Sequence, residues 1–253
     1  MQIDDEDGIR TITFDRPDAL NAFTPDAAVA LADALAEVSP EEYDAVVLTG
    51  EGDAFSAGGD LQAMAERDET AEEAFDRVQE TLGRVVEEAL TARVPIVAKV
   101  NGDAVGAGLA VTAVSDLAYA AESASFSCAF VRVGLVPDTG GTFLLPKLVG
   151  LRTAKQLAFT AEFFSAEEAV EYDLINRAVP DDELDDAVDE LLETLGKRPT
   201  KTLGLAKRAI HENMGRHWRE ALDHELHTQT LAYGTAEHEE GVRAFLDGEE
   251  PEF

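Results

Sequence analysis

Along the chain, short apolar runs alternate with longer stretches in which apolar residues recur every three or four positions. Ile9 to Phe14 is a β-rich run that ends at Asp15-Arg16-Pro17. Thr24-Pro25-Asp26 then opens a helix: Thr24 caps it, Pro25 suits its first turn, and Ala28, Leu31, Ala32 and Leu35 space an apolar face. Ala45 to Thr49 reads as a short buried strand ending at Gly50. One long helix is expected from Thr70 to Ala92, stopping before Pro95, and Ile96 to Val100 forms the next strand. Further strands are expected at Leu117 to Ala120 and Ala124 to Phe126, and helices at Gly140 to Val149, Arg152 to Phe159 and Ala166 to Tyr172. Strands separated by helices, with no hairpin dipeptides expected, predict an α/β fold of parallel character. After about residue 180 only helical signals remain: Glu183 to Leu195, Thr200 to Met214, and Trp218 to Leu246 with a break near Gly234. That helical region is expected to pack on the α/β core or on another subunit. No linker, low-complexity segment or sequence repeat interrupts the pattern.

Two stretches stand out where a strand-like run gives way to a helix-like one. These are Phe55-Ser56-Ala57-Gly58-Gly59-Asp60-Leu61 and Asn101-Gly102-Asp103-Ala104-Val105-Gly106-Ala107-Gly108. Small residues there let a ligand approach the backbone and leave the first N–H groups of a helix free to donate. Two such turns side by side aim two N–H groups at one oxygen, the geometry of an oxyanion hole; each alone reads equally as a tight strand–helix connection. Other classes fit poorly. No Lys-Ser/Thr follows the first glycine run, which argues against a Walker-type phosphate loop. The second lacks the third glycine and the ribose-binding acid of a dinucleotide site. Ser56 is not in a G-x-S-x-G elbow, and no histidine precedes His211, against a serine hydrolase. His211, His217, His224, His227 and His238 all fall in the acidic helical region without metal-ligand spacing, so no metal site is expected.

Four blocks in order resemble the signatures of the crotonase superfamily, the enoyl-CoA hydratase/isomerase family. They are Arg16 to Phe23 (Arg-Pro-Asp-Ala-Leu-Asn-Ala-Phe), the Phe55–Leu61 turn, the Val100–Gly108 turn, and Val136-Pro137-Asp138-Thr139-Gly140-Gly141. Glu240 to Leu246 also matches the family's C-terminus, so the resemblance spans the chain. It implies a crotonase-like ββα spiral core over residues 1–195 and a C-terminal helical trimerisation region over 196–253, in a homotrimer or homohexamer. It implies an acyl-CoA substrate and no separate cofactor, CoA being part of the substrate.

Residue by residue, the family's oxyanion N–H groups fall on Gly59 and Ala107. Backbone around Ala22, Ala57, Gly59, Asp60 and Leu61 falls where the family holds adenine and pantetheine; Asp60 reads alternatively as a helix cap. The two glutamates that hold water in family hydratases fall on Ala110 and Phe130, and neither side chain can transfer a proton. Asp138 instead occupies the place of the catalytic aspartate in dienoyl-CoA isomerases and in the phenylacetate-pathway epoxide isomerase, and Ser127 to Thr142 look most like that last subgroup. One carboxylate beside a polarised thioester suffices to take a proton from one carbon and return it to another. The resemblance therefore implies an acyl-CoA isomerase acting by double-bond shift or ring-epoxide rearrangement. A hydratase of fatty-acid β-oxidation, using a carboxylate not identified, and a catalytically silent acyl-CoA-binding subunit are the alternatives. Asp138 also reads as an N-cap for a helix at Gly140. Where the family often ends in basic residues near the nucleotide phosphates, Asp247, Gly248 and Glu249 follow Phe245-Leu246. Phosphate contacts are then expected from Arg16, Lys147 or a neighbouring subunit.

Composition adds boundaries. The single cysteine, Cys128, excludes an internal disulfide and a cysteine zinc cluster, and its apolar neighbours suggest a buried structural thiol. The N-terminus carries Asp4, Asp5, Glu6 and Asp7 with no apolar run, unlike a signal peptide, and the longest uncharged stretch, Ala104 to Val114, is too short to span a bilayer. A cytoplasmic location is expected. Fifty-two acids face 20 bases, a formal charge of −32, spread along the whole chain. Such a surface repels nucleic acid and anionic lipid. It reads as a strongly solvated surface or, more sharply, as a halophilic adaptation to a salt-rich cytoplasm in which screening shortens self-repulsion. On the sharper reading, dialysis from molar KCl to low salt abolishes the far-ultraviolet circular dichroism of the folded chain. An unchanged spectrum and unfolding midpoint in low salt refute that reading.

Overall fold

The computed structural model describes residues 1–253. Its strands are β1 (Gln2–Glu6), β2 (Ile9–Phe14), β3 (Ala45–Gly50), β4 (Ala54–Ser56), β5 (Ile96–Val100), β6 (Asp103–Val105), β7 (Leu117–Ala121), β8 (Ser125–Ser127), β9 (Phe163–Ser165) and β10 (Arg177–Val179). The helices are α1 (Pro25–Ala36), α2 (Leu61–Ala65), α3 (Ala71–Val78), α4 (Arg84–Thr91), α5 (Ala107–Val114), α6 (Leu145–Leu148), α7 (Gly150–Thr160), α8 (Ala166–Glu171), α9 (Leu184–Gly196), α10 (Thr200–Asn213), α11 (Trp218–Ala232) and α12 (Ala236–Asp247). A six-stranded sheet runs β1-β2-β3-β5-β7-β10, parallel apart from the β1–β2 hairpin, and a four-stranded sheet runs β4-β6-β8-β9.

The two sheets are built by one repeated step. A long strand of the first sheet turns within a few residues into a short strand of the second, and a helical segment follows: β3–β4–α2, β5–β6–α5, then β7–β8 and a 3-10 turn at Ala129–Val133. This is the ββα spiral that the resemblance implied. The apolar runs of β3 and β5 are buried almost throughout, as expected of strands covered on both faces. Parallel pairing of β4 with β6, and of β6 with β8, lines up their C-terminal ends. Ser56, Val105 and Ser127 therefore hand the chain to the site from adjacent positions.

Three expectations are corrected. Asp7-Gly8 does make a hairpin: both residues have φ near the left-handed region (48° and 79°), and β1 pairs antiparallel with β2 despite its acids. The long helix after Thr70 is not uniform. Thr70 caps α3 through a capping box with Glu73, but Gln79–Gly83 is a π-helical turn joining α3 to α4. The helix expected from Gly140 to Val149 is mostly turn, because Thr139 and Gly140 have φ of 52° and 82°; only α6 is helical.

The C-terminal helices dock through α10. Lys207, 8% exposed, places its Nζ 2.7 Å from a carboxylate oxygen of Asp116 and donates to the Val94 carbonyl, while Asp116 also accepts from the Ile96 N–H. Burial pulls the Lys207 ammonium pKa down and Asp116 opposes that shift. Leu226, Leu231, Phe245 and Leu246 on α11 and α12 face outward. No helix is long and apolar enough to cross a membrane.

The loop between β2 and α1 is pinned by Asn21. It has a φ of 57° and is 2% exposed; its amide donates to the carbonyls of Glu51 and Ala54, and its Oδ1 accepts from Arg16 N–H. Ser56 Oγ donates in turn to the Asn21 carbonyl and accepts from Gly58 N–H, tying the loop to the first glycine turn. Asn21→Ala strands three partners, the Ala54 carbonyl in a fully buried bond and the Glu51 carbonyl and Arg16 N–H in part-buried ones, and lowers unfolding stability by on the order of 3 kcal/mol in urea titration. A loss below about 0.5 kcal/mol contradicts that account.

Candidate active site

Gly58 and Gly106 set the backbone of the two turns against each other. Both have positive φ, 90° and 55°. A Cβ on Gly58 would lie 2.5 Å from the Val105 carbonyl and 3.1 Å from Ala107 N, so any side chain there forces the turns apart. Gly108 sits equally close to the Ser56 carbonyl. That close approach puts Gly59 and Ala107 in the lining of one cavity, and neither N–H donates to any loop carbonyl or side chain. Ala107 also begins α5, whose residues are all buried, so the positive end of its dipole adds to the donor field.

A cavity of about 280 Å³ lies over these donors, lined by Ala57, Gly59, Leu61, Met64, Leu82, Ala107, Phe130, Leu135 and Asp138 among others. Asp138 is half-buried and is the only carboxylate in that lining. Burial pushes its pKa up from the ordinary aspartate value; the Thr139 hydroxyl donating at 3.0 Å and the Arg77 charge act the other way. Asp138 does not cap a helix: Gly141 N–H donates to its main-chain carbonyl, and its side chain accepts from Thr139. Thr139, buried and β-branched, holds φ of 52°, a strained conformation next to a candidate base.

The other sequence-derived positions divide. Phe130 and Leu61 line the cavity; Ala110 is buried inside α5 and does not. Asp60 accepts from Ala63 N–H, so it caps α2, and it pairs with Arg16 at 2.9 Å. Both interactions hold its pKa below the usual range. Arg16 also donates to the Ala22 carbonyl and is thereby committed to the protein itself. Lys147 lines a different cavity, beside α10. Cys128 is fully buried and its thiol pKa is pushed up to about 11, in keeping with a structural role.

Sequence reasoning missed the residues that complete the walls. Met64 Cε rests over Gly59 where a Cβ would stand. Arg132 and Phe163 stack at one side, 4.9 Å from guanidinium carbon to ring centroid. Arg67 and Arg77 line an adjoining chamber of about 120 Å³ that shares Gly59, Met64, Leu82, Leu135 and Asp138 with the first. Arg77 is clamped by Glu69 through both carboxylate oxygens, at 2.6 and 2.9 Å.

Two N–H groups without acceptors, apolar walls and one raised carboxyl thus meet at one cavity. A family model described as enoyl-CoA hydratase/isomerase matches residues 4–253, and the chain belongs to that family and has its crotonase fold. It is 36% identical over 250 residues to the 1,2-epoxyphenylacetyl-CoA isomerase of Escherichia coli K12, covering 98% of this chain and 95% of that one. A probable enoyl-CoA hydratase of Rhodobacter capsulatus is 35% identical over 98% of this chain and 95% of its own. The crystal structure of a putative enoyl-CoA hydratase from Streptomyces coelicolor A3(2) superimposes with a TM-score of 0.93 at 31% identity, over 100% of this chain and 93% of that one.

The raised pKa of Asp138 has a thermodynamic counterpart. Stability linked to a carboxyl whose pKa is higher in the folded state is complete below the unfolded value and lost as pH rises through the folded one. Asp138→Asn avoids that loss. Its melting temperature should exceed that of the parent chain at pH 7, with the gap closing as pH falls below the ordinary carboxylate range; a parent chain more stable at pH 7 contradicts the burial of Asp138.

Proposed function

We propose that the protein is an acyl-CoA isomerase in which Gly59 and Ala107 polarise the thioester and Asp138 carries the proton. The reading is carried by one observation: a lone, desolvated carboxylate faces a cavity whose floor holds two unused N–H groups. With the thioester oxygen between those donors, loss of a proton from the carbon chain leaves an enolate whose charge sits on the bound oxygen. Asp138 breaks one C–H bond, holds the proton as the carboxylic acid, and delivers it to a second carbon while the electron pair returns from oxygen. Atoms balance without water or cofactor. A raised pKa makes Asp138 a stronger base than an exposed aspartate, and apolar Leu82, Phe130 and Leu135 keep water from competing.

Ala110 and Phe130 at the places of the hydratase glutamates support isomerisation over water addition. The likeness to the epoxyphenylacetyl-CoA isomerase supports a double-bond shift or a ring-epoxide rearrangement as the reaction. Outward-facing Leu226, Leu231, Phe245 and Leu246 support assembly of residues 196–253 into a homotrimer or homohexamer.

Incubation with 3-enoyl-, 2-enoyl- and aromatic-epoxide CoA esters should give products of unchanged mass and altered retention. Asp138→Asn should lower kcat by about 10² to 10⁴-fold, and kcat of the parent enzyme should fall as pH drops through a midpoint above the ordinary aspartate value. Unchanged turnover in the variant, or mass gain by one water with loss of enoyl-thioester absorbance from crotonyl-CoA, refutes the assignment.

A further inference from the structure

In a chain with 14 arginines, eight are paired with carboxylates: Arg10, Arg16, Arg77, Arg84, Arg93, Arg208, Arg216 and Arg243. Of the other six, Arg132, Arg152, Arg177, Arg198 and Arg219 are exposed to water. Arg67 alone is half-buried with no ion-pair partner and no side-chain hydrogen bond to any protein group. It lies between α2 and α3, in the wall of the chamber that adjoins Asp138. Taking a guanidinium out of water without an acceptor costs free energy, and a protein with a surplus of 32 negative charges has carboxylates to spare for it. Burial and the neighbouring Arg77 charge pull its pKa down, and the charges of Glu69 and Asp60, neither of them within ion-pair distance, offset only part of that.

The surroundings fit an anionic guest. Thr81 Oγ1 donates to the Arg77 carbonyl and is spent there, while Thr24 Oγ1 accepts from Ala27 N–H as the cap of α1 and is held at the helix end. Arg77 holds Glu69, which leaves Arg67 as the unpaired cationic donor in the wall. The chamber, at about 120 Å³, suits a small polar terminus better than a long alkyl tail, and it shares Asp138, Leu82 and Leu135 with the cavity over Gly59.

We infer that Arg67 selects acyl groups that end in a carboxylate: an ω-carboxyacyl thioester would lay its carbon chain across Asp138 and its terminal carboxylate on the Arg67 fork. This rests on the acyl-CoA reading of the same site and adds the class of acyl group to it. The planar guanidinium matches a carboxylate through two parallel N–H donors. Asp138 neighbours that anion as well, so Arg67 also offsets the repulsion that an unpaired carboxylate would meet.

Calorimetric titration of the full-length protein with hexanoyl-CoA and its ω-carboxylated counterpart adipyl-CoA reads this directly. The parent chain should bind the adipyl ester about tenfold more tightly, and Arg67→Met should bring the ratio of the two affinities to about one. Equal affinity for both esters in the parent chain overturns the inference while leaving the acyl-CoA reading standing. A preference that survives in Arg67→Met, with both affinities lowered together, places the guanidinium on the CoA phosphates and overturns it too. If neither ester binds the parent chain, the acyl-CoA reading fails first and this inference with it.

Discussion

The site depends on backbone touching backbone. Parallel pairing of β4 with β6 leaves room between their ends only for hydrogen atoms at Gly58 and Gly108, and Gly106 supplies the positive φ of the second turn. Everything chemical follows from that closeness. If the turns stood a methyl group further apart, Gly59 and Ala107 would no longer line one cavity together, and its floor would be two separated loops. Hydrogen bonds from Asn21 and Ser56 clamp the first turn from behind, so the donors are fixed before any substrate arrives.

Against this rigid floor stands a wall under tension. Asp138 is drawn from water, Thr139 is forced into a left-handed backbone, and the segment refuses the helix that its sequence suggests until Leu145. Each of these costs stability, and they fall on adjacent residues facing one cavity. Costs gathered in that way mark a segment shaped for its ligand rather than for its own packing.

Much of the plan was legible in the chain. β2, α1, β3 and β5 carry period and propensity strong enough to be read directly, and the glycine turns announce themselves because main-chain conformation is written locally. What stayed hidden had no local signal. Three-residue strands such as β4, β6 and β8 are too short to show alternation, so the repeated ββα step was invisible as a repeat. Strand β1 was masked by Asp4, Asp5 and Glu6, tolerated because β1 is an exposed edge. Asp138 could be placed from its motif, whereas Arg67 and Arg77 lie in an acidic stretch where a charged residue looks like any solvated one. Only three dimensions distinguish the guanidinium that has a partner from the one that lacks it.

The π-helical turn at Gln79–Gly83 has a consequence for how the molecule tolerates change. One residue advances an α-helix by about 100° around its axis. The wider turn takes up one residue more than an α-helical turn, and so lets two faces with different tasks share one rod: Arg77, Val78 and Thr81 toward the chamber, Val85 and Ala89 toward the core. Deleting a single residue there would leave a smoother helix but shift its phase, and either the core would lose its two apolar anchors or the chamber its arginine. Irregularity here is a phase adjuster, and chain length between Thr70 and Pro95 is as constrained as any side chain in the site.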